Sequence, residues 1–255
     1  YIHRSLGDTD CYFVSSQNRE PQRAELAFRI SGRRPELWDP MTGRTREAAA
    51  FIQKDGRTFL PLEFDPYGSL FIVFRKAIGL RENGPGSSNG HTYEPVATVS
   101  GPWDVRFDPK WGAPEQVRFD RLASWTARPE QGLRFYSGKA TYRTQFDFSP
   151  PLWRAGKLVL DLGDIRDVGV ARVRLNGRDL GITWSPPFRV EIAGALKPRG
   201  NVLEVEVANS WRNRLVGDRD LPEAQRLTRT NITIRKEWEL LDSGLLGPVR
   251  VLAVR

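Results

Sequence analysis

The chain has 255 residues, room for one large domain or two ordinary ones, and its 39% hydrophobic and 27% charged content predicts a packed core rather than wholesale disorder. Its net charge is +8, but only seven of its 39 basic residues are lysine, and the arginines are scattered singly with no run of five or six, which argues against nucleic acid as a partner. No apolar run approaches the roughly 20 residues of a membrane helix, so no membrane partner is expected, and Cys11, the single cysteine, excludes an internal disulfide or a cysteine-based zinc or iron–sulfur site.

Strand signals dominate from the start. Cys11 to Ser15 reads as a strand. In Arg23 to Ile30, Ala24, Leu26, Phe28 and Ile30 alternate with Arg23, Glu25, Ala27 and Arg29, the period of a strand with one buried face. Asp39-Pro40-Met41-Thr42-Gly43 predicts a tight turn after Leu37-Trp38, and Glu47 to Phe51 predicts a turn or two of helix. Thr58 to Phe64 and Leu70 to Arg75 complete a small antiparallel sandwich over 1–79. Residues 80–95, with Gly84, Pro85, Gly86, Ser87, Ser88, Asn89 and Gly90, read as a linker.

The remainder, 96–255, is again β. Thr141 to Phe148 places Tyr142, Thr144, Phe146 and Phe148 on one face. Lys157 to Leu162, Ala171 to Leu175, Phe188 to Ile192, Leu203 to Val207 and Val249 to Val254 follow, with Asn176-Gly177 as a hairpin turn. Pro222 to Arg226 predicts a second short helical turn. The fold class is therefore all-β: two antiparallel sandwich modules, the second a jelly roll. With Tyr1 at its start and Met41 as its one methionine, the chain reads as a processed or excised piece of something longer.

Chemistry-bearing motifs are few. Gly86-Ser87-Ser88-Asn89-Gly90 matches a serine-hydrolase pattern, but it lacks the preceding strand and following helix that hold such a serine on its elbow. His3 and His91, the only histidines, support neither a triad nor a multi-histidine metal site. Glycoside hydrolysis runs on carboxylate pairs, which makes Asp8 with Asp10, Asp161 with Asp164 and Asp167, Asp218 with Asp220, and Glu237 with Glu239 the groups to weigh. Each has an ordinary reading as a turn cap, a solvated strand face or an arginine partner. A structural calcium on loop carboxylates is a further option, with Asp218 the candidate ligand.

Eight tryptophans offer aromatic faces to sugar C–H groups. Trp184, on the proline-stiffened Trp184-Ser185-Pro186-Pro187-Phe188 loop, and Trp211, within Trp211-Arg212-Asn213-Arg214, can either line a sugar pocket or belong to the sandwich core. Trp38, Trp153 and Trp238 read as core. Asn231-Ile232-Thr233 is a glycosylation sequon, relevant only in a eukaryotic secretory pathway.

The run Val173-Arg174-Leu175-Asn176-Gly177-Arg178-Asp179-Leu180-Gly181, with Trp184, Pro187-Phe188, Ile192, Leu196, Asn201, Leu203, Val205 and Val207, resembles the galactose-binding-like jelly roll of family 2 glycoside hydrolases. Asn209-Ser210-Trp211-Arg212-Asn213-Arg214-Leu215-Val216-Gly217-Asp218 is similar to the C-terminal region of glycoside hydrolase family 106, the α-L-rhamnosidases. Tyr136 to Tyr142 and the opening Ile2-His3-Arg4, Gly7-Asp8-Thr9-Asp10 and Tyr12-Phe13-Val14 resemble the same family.

The resemblance implies a bacterial, periplasmic or secreted parent enzyme that hydrolyses terminal rhamnose with inversion. Its general acid, general base and calcium would sit on an upstream (β/α)8 barrel. This chain lacks the alternating βαβα pattern of a barrel, so no catalytic residue is carried over.

The reading is a non-catalytic, carbohydrate-handling region whose partners are a rhamnose-containing glycan and the upstream catalytic domain. Trp184, Trp211, Asn213 and Arg214 are the expected sugar contacts, and Asp218 is a calcium or hydroxyl partner. Two rival readings are a purely architectural support, which requires Trp184 and Trp211 to be buried with no open pocket beside them, and an independent hydrolase with a carboxylate pair about 6.5–9.5 Å apart in one cleft.

Overall fold

A computed structural model describes residues 1–148, 157–167 and 169–255. The chain divides into two compact units, Tyr1–His91 and Thr92–Arg255.

Unit 1 comprises β1 (Ile2–Leu6), β2 (Thr9–Ser15), β3 (Gln22–Phe28), β4 (Arg33–Trp38), β5 (Thr45–Glu47), β6 (Ile52–Lys54), β7 (Arg57–Phe64) and β8 (Ser69–Ala77). They form a five-stranded sheet, β1-β2-β8-β4-β5, and a three-stranded sheet, β3-β7-β6. The apolar faces meet in one core: Tyr12, Leu37, Ile72 and Phe74 come from the first sheet, and Phe28, Leu60 and Leu62 from the second. Tyr12 and Phe28 bridge the sheets edge to face, 4.9 Å between centroids. The alternation in Arg23 to Ile30 holds, with Phe28 buried and Arg23, Glu25 and Ala27 exposed. The predicted turn forms as well. Asp39 Oδ1 accepts from Met41 N at 2.8 Å, and Gly43, at φ 68°, donates to Asp39 O.

Two local expectations are corrected. Glu47 to Phe51 forms no helix: Glu47 ends β5, Ala48 N donates to Pro35 O, and Ala50 N donates to the Asn89 side chain at 3.0 Å. Residues 80–91 are fastened to unit 1 rather than running free. Gly84 and Gly86 donate to Phe51 O and Ala49 O, and the buried Asn89 amide donates to Ala50 O and Pro61 O. The unit boundary falls after His91, and Tyr93 already begins a strand.

Unit 2 comprises β9 (Tyr93–Thr98), β10 (Trp103–Phe107), β11 (Gln116–Phe119), α1 (Gln131–Arg134), β12 (Lys139–Phe146), β13 (Lys157–Asp161), β14 (Asp164–Arg166), β15 (Val170–Leu175), β16 (Arg178–Thr183), β17 (Arg189–Glu191), β18 (Asn201–Ala208), α2 (Arg212–Asp218), β19 (Gly244–Gly247) and β20 (Arg250–Val254). A six-stranded sheet, β11-β10-β12-β18-β15-β16, a four-stranded sheet, β17-β13-β20-β9, and the β14-β19 ribbon are all antiparallel. β18 alternates strictly, with Leu203, Val205 and Val207 buried. These pack with Tyr142, Val173, Leu160 and Val251 in a core shared by the two larger sheets. Asn176 and Gly177, at φ 55° and 81°, make the expected β15–β16 hairpin turn.

The core tryptophans are Trp103 and Trp125. Trp38 is only half-buried: its indole N–H donates to Glu36 at 3.0 Å and Arg75 lies 5.3 Å from its ring. Trp238 is half-buried in an irregular segment rather than a strand, so Glu237 and Glu239 do not alternate across a sheet. Trp153 lies outside the described residues.

Trp125 and Tyr142 lock the second core. Tyr142 Oη accepts from Trp125 Nε1 at 2.6 Å and from Leu245 N at 3.1 Å, and full burial pushes its pKa well above the ordinary tyrosine value. Gly244 leaves space for this contact; a Cβ there would meet both Trp125 Nε1 and Tyr142 Oη at 2.6 Å. Replacing Tyr142 with Phe leaves two buried donors without an acceptor. Tyr142→Phe is therefore expected to lower the stability of unit 2 by about 2 kcal/mol in denaturant titration; an unchanged midpoint would contradict this packing.

Candidate functional site

The register of the six-stranded sheet gathers several connections at one end. Ala208 pairs with both Lys139 and Val170, Ala171 pairs with Thr183, and Phe107 pairs with Ala140. The ends of β10, β16 and β18 and the starts of β12 and β15 therefore coincide there. Trp184 follows the end of β16 and Trp211 lies just beyond the end of β18, two strands away. At about 4.8 Å per strand their backbones leave the sheet about 10 Å apart.

Both indoles are open to solvent: Trp184 is 59% and Trp211 48% exposed. Trp211 meets Trp111 edge to face, with centroids 4.7 Å apart. Trp111 is placed by a one-turn 3-10 helix capped by Asp108, whose carboxylate accepts from Lys110 N. On the following segment, the Arg212 guanidinium lies 4.2 Å from the Trp238 ring centre and donates to Glu239 O at 3.2 Å. The sequence did not single out Trp111; its signal was the Trp-Gly turn after a strand, which only the register brings to Trp211.

The polar residues expected beside these indoles have a different job. Asn213 is 1% exposed. Its amide oxygen accepts from Leu241 N at 2.8 Å, and its amide nitrogen donates to Leu241 O at 2.8 Å and Ser243 Oγ at 2.9 Å. Asn209 acts in the same way: its oxygen accepts from Gly138 N, and its nitrogen donates to Tyr136 O and Ser243 Oγ. Asp167, in the left-handed region at φ 57°, accepts from Ser210 N at 3.1 Å and Ser210 Oγ at 2.9 Å.

Arg214 is 5% and Asp218 3% exposed. Their ion pair spans one turn of α2, Arg214 Nη2 to Asp218 Oδ1 at 2.9 Å, although that oxygen accepts no aligned hydrogen bond. The other carboxylate oxygen of Asp218 accepts from Thr228 N at 2.8 Å and Thr228 Oγ1 at 2.7 Å. Asn213, Arg214 and Asp218 thus bind the 219–243 segment to the sheet, and only the two tryptophans of the expected contacts present themselves outward.

This donor set does not fit calcium at Asp218. A calcium ion takes about six to eight oxygen ligands, whereas Asp218 faces a guanidinium and a threonine. Among the described residues no group of three or more His, Cys, Asp and Glu side chains converges.

The other weighed carboxylates, the exposed Glu237 and Glu239 apart, are engaged locally. Asp10 accepts from Ser5 at 2.7 Å and lies 2.8 Å from His3; the Ser5 hydroxyl holds its pKa below the usual value. Arg33 faces Asp8 at 3.6 Å, Arg189 faces Asp161 at 2.9 Å, Arg166 faces Asp164 at 2.6 Å and Arg219 faces Asp220 at 3.1 Å. The serine pattern at 86–90 sits in irregular backbone, with Asn89 rather than Ser88 as its buried member.

Removing one member of a buried pair leaves a charge without its partner. Asp218→Ala is expected to cost about 3 kcal/mol in unfolding experiments, and the double replacement Arg214→Met with Asp218→Leu distinctly less. Equal losses in both variants would show that the pair contributes nothing beyond packing.

Residues 1–52 match the family model of the α-L-rhamnosidases, glycoside hydrolase family 106. The solved structure of a rhamnosidase from Novosphingobium sp. PP1Y superposes over 98% of this chain with a TM-score of 0.86 and 37% identity. A curated protein of Formosa agariphila with a provisional β-glucuronidase name is 37% identical over 178 residues, 60% of this chain. The chain spans 23% of the solved rhamnosidase and 15% of the Formosa protein. By family match at its start and by structure along nearly its whole length, the chain is similar to one all-β stretch of a rhamnosidase.

Proposed function

We propose that this chain is the non-catalytic, carbohydrate-handling region of an α-L-rhamnosidase-like glycoside hydrolase, and that the end of unit 2 bearing Trp184 and Trp211 contacts glycan. The observation that carries this reading is the exposure of both indoles at one end of a single sheet. A purely architectural region would bury them. Glycan rings lay C–H faces against indoles, while neighbouring guanidinium groups bond the hydroxyls.

In this reading unit 2 is a galactose-binding-like jelly roll and unit 1 is its support. The partner is the parent protein's catalytic domain, which supplies the hydrolytic carboxylates and acts on terminal rhamnose. A periplasmic or secreted bacterial setting belongs to the same proposal. The architectural alternative draws on the burial of Asn213, Arg214 and Asp218, which perform structural work. It parts from the first reading at the tryptophans alone.

Titration of the intact chain with a rhamnose-containing oligosaccharide separates the two. Trp184→Ala and Trp211→Ala are each expected to weaken binding about ten-fold, the loss of a central aromatic contact. No binding by the intact chain, or binding indifferent to both replacements, favours the architectural role.

A further inference from the structure

The 219–243 segment does more than cross the end of the sheet: it borders a half-open pocket of about 180 Å³ against α2. That volume is smaller than the roughly 300–1,000 Å³ of sites for drug-sized ligands, so it suits one small unit. Leu215 and Ile234 give it an apolar side; Arg219, Glu223, Arg226 and Arg229 give it a polar one.

Two of these polar residues hold the pocket in shape. Arg219 Nη1 donates to Arg235 O and Lys236 O at 3.1 Å each, and Arg226 Nε donates to Leu221 O at 2.8 Å. Thr228, doubly bonded to Asp218, anchors the same loop to the helix. The side chains of the other two, Glu223 and Arg229, make no hydrogen bond or ion pair among the described residues, although they line one small cavity and carry opposite charges. The pocket thus offers an uncommitted acceptor, an uncommitted donor fork and an apolar wall, on a frame fixed before any ligand arrives.

We infer that this pocket binds a single neutral sugar unit, with Arg229 donating to and Glu223 accepting from its hydroxyls, and with an apolar edge such as a 6-deoxy methyl against Leu215 and Ile234. A simple anion would meet Arg219, Arg226 and Arg229 as well as the Glu223 carboxylate, and it is the rival occupant that the sulfate titration below separates. The inference rests on the glycan-contact reading above and locates a second group of contact residues for it.

The test is titration of the intact chain with L-rhamnose, and separately with sodium sulfate, by calorimetry or ligand-observed NMR. Arg229→Ala and Glu223→Gln alter exposed side chains and leave the Asp218–Thr228 anchor in place. Each is expected to weaken L-rhamnose binding about ten-fold, as for loss of a hydrogen bond to a charged group. Sulfate should not compete with L-rhamnose. Failure of L-rhamnose to bind, or binding unaffected by both pocket replacements, overturns the inference. So does sulfate binding that tightens in Glu223→Gln, which would mark an anion site. Failure of the tryptophan reading shows separately, as oligosaccharide binding that survives both Trp184→Ala and Trp211→Ala.

Discussion

The side-chain amides of Asn209 and Asn213, joined through Ser243, hold the end of unit 2 together. A segment as long as 219–243, with one 3-10 turn as its only regular structure, has few backbone groups to bond within itself. Asn213 completes both hydrogen bonds of Leu241, as a neighbouring strand would. Asn209 does the same for Tyr136 O and Gly138 N, where the chain enters β12. Ser243 receives from both amides and lies 3.4 Å from Asp167. Its own N–H donates to Ser124. Four separate stretches of chain are thereby joined at one buried residue, Ser243.

Everything presented at that end follows from this clamp. α2 begins between its two asparagines, with Trp211 at the N-cap, where the indole meets Trp111. One turn further on, the Arg214–Asp218 pair carries the restraint to Thr228, so the pocket walls are fixed to the same frame as the indoles. Buried charges of this kind are costly to desolvate, and each member of the pair offsets that cost for the other. A polar run that looks like a binding motif in sequence is, in three dimensions, the support that lets its neighbours face outward.

The sheets were legible in the sequence because their faces differ in polarity. β18 and β12 follow an alternation that physics leaves little freedom to read otherwise, and Asn176-Gly177 fixed their neighbouring hairpin. The likeness to the α-L-rhamnosidases was legible too, at the start of the chain and in the residues after β18. What escaped was set by distant partners. α2 has a weak local signal, with Asn213 and Gly217 inside it and no side-chain cap. Glu47 to Phe51 has helical composition, yet Asn89, far along the chain, claims its backbone. Asn213 and Arg214 are polar, so composition alone places them in solvent; only tertiary contacts reveal them as buried connectors. Trp184 and Trp211 are the reverse case, since burial is the default for tryptophan and the sheet register brings them to one open end.

The central claim is that the open end of unit 2 meets sugar. A heteronuclear NMR titration of the isotope-labelled chain with a rhamnose-containing oligosaccharide tests it most directly. Saturable shifts confined to 109–111, 184–187 and 209–238, with β1 to β8 silent, are the predicted result. Saturation without shifts in those segments, or no shifts at all at millimolar sugar, would contradict the account.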